Sequence, residues 1–357
     1  MNSENDFYLL IRYRKFLMGF ASLWILVNHE WNPIFTVWPF HRIEDLIKTI
    51  GFCGVDIFFF LSAVGLYYSI QKNSLFQFYY HRIRRLIVPF LLTAILYSVT
   101  RGDWTVELFL RNISGINFFT VNIYSYLWFV PAIIIFYLFF PLYYTFFDRS
   151  RNKFIFTLCV LALWLLGTLA LRNTMREDLF GFTNRIPVFC TGCLAGYLSQ
   201  NKKHKFEVGE WILLVLMLVL GLYFSFLTNY RGFPLIVPVP NCCVPNFLIT
   251  VSLCFLLPKF VEWSETILGV RHLMKWGVRS LEFLGIFSYE LYCVQERIGN
   301  FCYPSVSSHF GSFGTNICLF LIIFPTGVCL YLIQKGFWLL FDKMVLLLKN
   351  RGTAQIR

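Results

Sequence analysis

Apolar runs of membrane-crossing length recur from one end of this 357-residue chain to the other. A helix needs about 20 predominantly apolar residues to cross about 30 Å of hydrocarbon. Measured with that ruler, the sequence predicts ten spans, at 16–38, 51–70, 86–100, 127–147, 154–171, 186–200, 209–228, 244–258, 283–303 and 315–334. The shorter ones are expected to be tilted or broken. Composition agrees, since 57% of residues are hydrophobic and 14% charged, where soluble domains average about 25% charged. The expected fold is all-α, a polytopic membrane helical bundle of about ten transmembrane helices, with residues 1–357 forming a single integral-membrane domain. An ordinary soluble enzyme, a disordered chain and a secreted disulfide scaffold are excluded.

A net charge of +12 would point to nucleic acid in a soluble protein. In a membrane protein it has a simpler source, because cytoplasmic loops collect Lys and Arg; no nucleic-acid partner is expected. With the N-terminus inside, 22 of the 31 Lys and Arg fall in inside segments: Arg12–Lys15, Lys72–Arg85, Arg149–Lys153, Lys202–Lys205, Lys259–Arg279 and the tail from Lys335 onward. That asymmetry, like the even span count, places both termini in the cytoplasm. No cleavable signal peptide is visible, and Arg12, Arg14 and Lys15 lead straight into an uncleaved first span. The eleven cysteines are scattered, and the Cys190/Cys193 pair has no second pair or His pair at ligand spacing, so they read as packing thiols and no metal is expected. No loop is long enough for a soluble domain, and the tail after 334 is short and partly amphipathic. Activity must therefore reside inside the bundle or at its two mouths.

Ionisable side chains are costly in hydrocarbon, so each one inside a span is a functional candidate. His29, with Glu30 beside it, lies 13 residues beyond Phe16, roughly 20 Å along the first helix and past the midplane. An imidazole suits proton exchange near neutral pH and a carboxylate can orient it; the same position also fits a His satisfied by a neighbouring helix, or one already among the outer headgroups. Asp56, at the outer start of the second span, reads either as a site carboxylate or as an interfacial one near a helix N-terminus. Glu290, Glu296 and Arg297 share the ninth span, and Glu290 and Arg297, two turns apart on one face, are placed to pair or to line a cavity. Arg82, Arg84 and Arg85, preceded by His81, sit at the inner mouth, where forked guanidiniums suit a phosphate-bearing ligand and also plain positive-inside anchoring. No P-loop, GxSxG elbow or HExxH motif is present. What remains is a buried His facing out and a basic mouth facing in, an arrangement suited to moving a group from a phosphate-bearing cytoplasmic donor to an acceptor met within or beyond the bilayer.

Six segments, in order, resemble acyltransferase family 3, the bacterial integral-membrane O-acyltransferases of surface glycans. They are ASLWILVNH, ending in His29; GFCGVDIFFFLSAVGL, with Ala63 where the family usually has Gly; FYYHRIRRLIVPF, which puts the family's R-x-x-R on Arg82 and Arg85; YLWFVPAIIIFYLFFPL, supplying Trp128; NRIPVFCTGCLAGY, supplying Arg185; and FLGIFSYELYCVQE. Two further positions depart from the pattern. Met18 stands where the family carries an Arg eleven residues before the His, with Arg14 one turn nearer the cytoplasm, and Gln295, followed by Glu296, replaces a late His.

The resemblance implies transfer of an acyl group, by expectation acetyl, from cytoplasmic acyl-CoA to a hydroxyl of a surface glycan or lipid-linked saccharide, in the bacterial cytoplasmic membrane. Arg82 and Arg85 would hold the CoA phosphates. His29 would act as general base or transient acyl carrier, and Glu30 or Asp56 would orient it. Trp128, Arg185, Glu290 and Glu296 would line the channel. Acyl-CoA is a co-substrate, and no permanently bound cofactor is expected. Partners would be the saccharide acceptor, membrane lipids and, because some relatives carry an appended extracytoplasmic hydrolase-like domain, a separate acyltransferase partner. The rival reading from another class is a transporter or flippase of a lipid-linked saccharide. The membrane-bound O-acyltransferase group also relies on a buried His, but the GVD-x-FF segment and the early His argue against it.

Overall fold

The computed structural model describes residues 5–101, 105–120, 127–171, 174, 179–231, 243–267 and 271–354; Cys242 lies outside them. Among the described residues the regular structure is helical, with no strand. In chain order the main helices are α1 (Arg14–Glu30), α2 (Phe40–Thr49), α3 (Cys53–Lys72), α4 (Leu75–Arg101), α5 (Val106–Ser114), α6 (Phe129–Arg149) and α7 (Lys153–Leu171). They continue with α8 (Arg185–Asn201), α9 (Val208–Arg231), α10 (Cys243–Ser264), α11 (Arg271–Ile286), α12 (Ser288–Ser307) and α13 (Ser312–Ala354). The chain is an integral membrane protein of the polytopic all-α class.

Among the described residues seven helical stretches are long and apolar enough to cross a membrane: α2 with α3, then α4, α6, α7, α9, α10 and α13. Three of the ten expected spans fall outside that set for physical reasons. The first ends at Glu30, so that α1 has 17 residues and 31–36 run on without helix. Helix α8 also has 17 residues. The ninth breaks at Phe287 into α11 and α12, and α12 carries Glu290, Glu296 and Arg297 within its 20 residues. Nor does the tail after 334 stand apart: it continues α13, which runs for 43 residues.

Position in the bundle explains the pattern. Only 11% of the most apolar window of α7 and 17% of that of α9 is buried, against 78% for the stretch that includes α3. The outer helices are apolar because they face lipid. Helices α1, α8 and α12 face other helices and can carry polar groups. Close backbone contacts hold this inner set. A Cβ at Gly51 or Gly54, the two glycines of the GFCGVD segment, would come within 2.7 and 2.5 Å of α1 carbonyl oxygens of Trp24 and Ala21. At Gly192 of α8 it would stand 2.4 Å from the Phe60 carbonyl oxygen and 3.1 Å from Ala63 Cβ. The small residue that α3 needs opposite α8 is thus supplied by α8 itself, which is how Ala63 is accommodated. Around these contacts Phe59, Phe129, Phe136 and Phe189 interlock, with centroid separations of 5.2 Å for Phe59–Phe129, 5.1 Å for Phe59–Phe136 and 4.5 Å for Phe136–Phe189; such aromatic pairs add to plain area burial.

Inter-helix contacts gather the basic segments at one end. Arg12 pairs with Glu262 at 2.7 Å and Lys259 with Asp6 at 3.4 Å. The Asn5 amide donates to the Lys202 carbonyl at 2.6 Å, and Arg84 pairs with Asp342. His29, Glu30 and the amphipathic α2 lie at the opposite end. Helix α2 exposes Phe40, Ile43 and Ile47 on one side, as an interfacial helix does.

Candidate active site

Helix α1 carries the candidate residues His29 and Glu30 at its last turn. His29 is exposed, as a His at the outer margin would be and not one enclosed by neighbouring helices, because α1 ends one residue later and the chain leaves the packed bundle there. Its electrostatic neighbours are Glu296 of α12 and Lys48 of α2. Glu296 is exposed as well, so an imidazole and a carboxylate on two facing helices are both open to an incoming molecule. Glu30 is 8% exposed. Its carboxylate lies against Gly299 of α12, where a Cβ would stand 1.8 Å from Oε2. Helix α2 closes over this end: Asn28 donates to the Lys48 carbonyl at 2.8 Å and Trp24 Nε1 to the Ile47 carbonyl at 2.9 Å. The Glu44 carboxylate accepts from Trp31 Nε1 at 2.8 Å and from the Ile34 and Phe35 amides, pinning the segment that follows His29.

Asp56 is elsewhere. It is buried, and its partner is Arg185, whose Nε stands 3.0 Å from Asp56 Oδ1. Arg185 also donates to the Gly181 carbonyl at 2.6 Å and lies over the Trp128 ring at 5.3 Å. Buried Asp56 and Arg185 and half-buried Trp128 therefore form one unit joining the starts of α3, α8 and α6. That leaves Glu296 as the carboxylate neighbour of the imidazole, with the Glu30 carboxylate turned onto Gly299.

The basic end is equally specific. Glu290 does not pair with Arg297. Its fully buried carboxylate grips Arg85 through two bonds, of 2.5 and 3.0 Å, while Arg297 Nε donates to Thr100 Oγ1 at 2.5 Å. The two residues share a face of α12 but sit at different depths, each meeting its own partner on α4. Arg85 thus carries a balancing charge already. Arg82 makes no ion pair among the described residues; it lies over the rings of Phe78 and Tyr137 at 5.4 and 5.7 Å, and its buried Nε lacks a hydrogen-bond partner. Arg14, whose Nε is likewise unpartnered, has Arg82, Arg85 and Tyr137 as electrostatic neighbours. Three guanidiniums around one interior region with a single carboxylate among them favour an anion. Arg14 and Gly299 are the residues that sequence reasoning left without a role. Arg14 had a signal in its place one turn from the vacant Met18 position, while nothing local marked Gly299.

Between the two ends α12 carries buried Gln295, whose Oε1 has no partner. Glu290, Gln295 and Glu296 thus run along one inner helix from the arginines to the imidazole.

The family described as an acyltransferase domain, acyltransferase family 3, matches residues 16–333, nearly the whole chain. The chain belongs to this family. Helices α1 to α12 and most of the membrane-spanning part of α13 therefore form the acyltransferase domain itself. Among curated proteins, the O-acetyltransferase OatA of Staphylococcus aureus strains NCTC 8325, COL and MRSA252 is 27% identical to the chain over 203 residues. That alignment covers 47% of this chain and 34% of each relative, so it spans about a third of their length. No solved structure matches significantly.

Proposed function

We propose that this chain transfers an acetyl group from acyl-CoA, met at the basic end, to a hydroxyl of a surface glycan or lipid-linked saccharide, met at the His29 end. The observation that carries the reading is the placement of His29 and Glu296, both exposed on facing helices, at the opposite end of the bundle from Arg14, Arg82 and Arg85. His29 takes the proton of the acceptor hydroxyl as its oxygen attacks the thioester carbonyl; the carbon–sulfur bond breaks and CoA leaves as its thiolate, which is then protonated. Glu296 orients the imidazole and stabilises its protonated form. Buried Glu30 fixes the spacing between α1 and α12.

On the donor side Arg14 and Arg82 hold phosphate oxygens, since neither is matched to a carboxylate among the described residues. Arg85, tied to Glu290, couples α4 to α12. The donor's reactive end lies on a long flexible arm, which suits a site whose anchoring cations and base stand at opposite ends of α1. The basic end faces the cytoplasm, in keeping with the excess of Lys and Arg there, and the membrane is the bacterial cytoplasmic one. The name of the Staphylococcus aureus relatives, O-acetyltransferase, supports acetyl as the group moved.

The test is purified protein in liposomes supplied with acetyl-CoA and oligosaccharide acceptor. Acceptor-dependent release of CoA that disappears in a His29→Gln variant is expected. Movement of saccharide across the bilayer with no consumption of acetyl-CoA would replace this reading with a flippase.

A further inference from the structure

Where α4 and α13 face each other at the basic end they form an open pocket of about 320 Å³, lined by His81, Arg84, Arg85, Gln334, Lys335 and Trp338 among others. It lies beside the arginines discussed above but is built from different chemistry. Arg84 is held by Asp342 in a two-pronged pair of 3.1 and 2.5 Å, and the Asp342 side chain is 49% exposed. Carboxylate and phosphate fit the same guanidinium fork, and an exposed pair contributes little, so its partner can be exchanged. Lys335 and His81 make no ion pair among the described residues.

Two neutral groups in the same wall are buried and unmatched: the Trp338 Nε1 donor and the Gln334 Oε1 acceptor. Gln334 is 6% exposed, and its Nε2 is spent on the Arg84 and Arg85 carbonyls at 3.3 and 3.1 Å, which fixes the amide and leaves the oxygen free. Residues 334 and 338 are one turn apart, so donor and acceptor lie on the same face of α13. Buried polar groups without partners are rare and call for an explanation. A purine edge, with a ring nitrogen beside an amino group, would match both at once.

We propose that this pocket binds the phosphoadenosine end of acyl-CoA, an inference that rests on the donor reading above. A phosphate takes the place of Asp342 on Arg84, with Lys335 and His81 adding charge. Trp338 Nε1 donates to an adenine ring nitrogen, and Gln334 Oε1 accepts from the adenine amino group. Arg85, which lines the pocket and also neighbours Arg14, leads from the nucleotide to the interior where the arm enters.

The test is equilibrium binding of CoA and 3′-dephospho-CoA to the full chain in nanodiscs, together with steady-state turnover of acetyl-CoA and of acetyl-pantetheine. Trp338→Phe keeps a ring and removes the N–H; Lys335→Gln removes one charge. Each is expected to weaken CoA binding about tenfold, as loss of one hydrogen bond or charged contact does, and to raise the KM for acetyl-CoA at unchanged kcat. Turnover of acetyl-pantetheine, which lacks the nucleotide, should be unaltered. Asp342→Asn should tighten CoA binding, and Lys335→Gln should narrow the preference for CoA over its dephospho form. If the wild type binds CoA and both variants bind it equally well, the pocket assignment is wrong while the donor reading stands. If the wild type binds no CoA, both fail. Retention of phosphatidylglycerol that is lost in Lys335→Gln, with CoA binding unchanged, would make this a lipid site and overturn the proposal.

Discussion

The Glu30 carboxylate rests on the bare backbone of Gly299, so close that a Cβ at residue 299 would stand 1.8 Å from Glu30 Oε2 and 2.1 Å from its Cδ. The end of α1 that carries His29 is therefore seated on α12 next to Glu296, and the two helices share one carboxylate at their crossing. A side chain at residue 299 would have to push the Glu30 carboxylate out of its present place.

Gly299→Ala should displace Glu30 and with it the last turn of α1. Ala is the better helix former by about 1 kcal/mol, so a loss cannot be charged to α12 itself. Acetylation is expected to fall at least tenfold at matched membrane levels, as misplacement of a catalytic group by about 1 Å can cost more than that. Gly277→Ala, where a Cβ would meet nothing within 4 Å, is the control and should leave activity unchanged. Full activity in Gly299→Ala would mean that the placement of Glu30 is of no consequence.

His29→Gln keeps a polar side chain of similar size at the end of α1, so insertion and packing should survive. It removes the titrating nitrogen, and a loss on the order of 10²-fold or more is expected. His309, exposed in the turn between α12 and α13, should tolerate the same change. The measurement is glycan O-acetylation in cells lacking the native protein, complemented with each variant. Wild-type acetylation by His29→Gln would end the general-base mechanism.

Much of the bundle was legible because membrane solvation acts on composition: α4, α6, α7, α9 and α10 face lipid or other apolar helices and read as long apolar runs. Helices α1, α8 and α12 read less well, since their neighbours are protein and they need not be apolar. The site was legible as a set of residue types but not as pairings. Asp56 and His29 both looked like outer-end groups, yet only folding could seat Asp56 on Arg185, 129 positions away in sequence. Glu290 and Arg297 satisfied a helical spacing and nonetheless took separate partners on α4, because a shared face does not fix depth. Gly51 and Gly54 were visible as a motif, and their meaning, the close approach of α1, appeared only with the structure.

The proposed topology, with the basic end in the cytoplasm, rests on the gathering of Lys and Arg at that end. A cysteine at Lys203, in a background with silent native thiols, should resist a membrane-impermeant reagent on intact cells and react once the membrane is opened. A cysteine at Ser308, at the other end, should react in both. Labelling of the Lys203 position on intact cells would invert the arrangement and place the arginines outside.

Arg85 and Glu290 separate a structural role from a ligand-binding one. Glu290 is fully buried, and Arg85 gives it two bonds. Removing Arg85 strands the buried Glu290 carboxylate without its counter-charge, whereas the Arg85 side chain, 39% exposed, can be solvated without Glu290. Arg85→Gln should lower the unfolding temperature of the purified protein markedly, and more than Glu290→Gln does, whereas the double variant should recover much of the Arg85→Gln loss. Arg82 lacks such a partner, so Arg82→Lys should barely move that temperature, while the loss of the planar fork should raise the KM for acetyl-CoA several-fold. The two outcomes distinguish the arginines although they stand three residues apart in one motif. If Arg85→Gln leaves stability intact and Arg82→Lys leaves donor use intact, the roles assigned to them here are wrong, and both arginines reduce to anchors of the basic end.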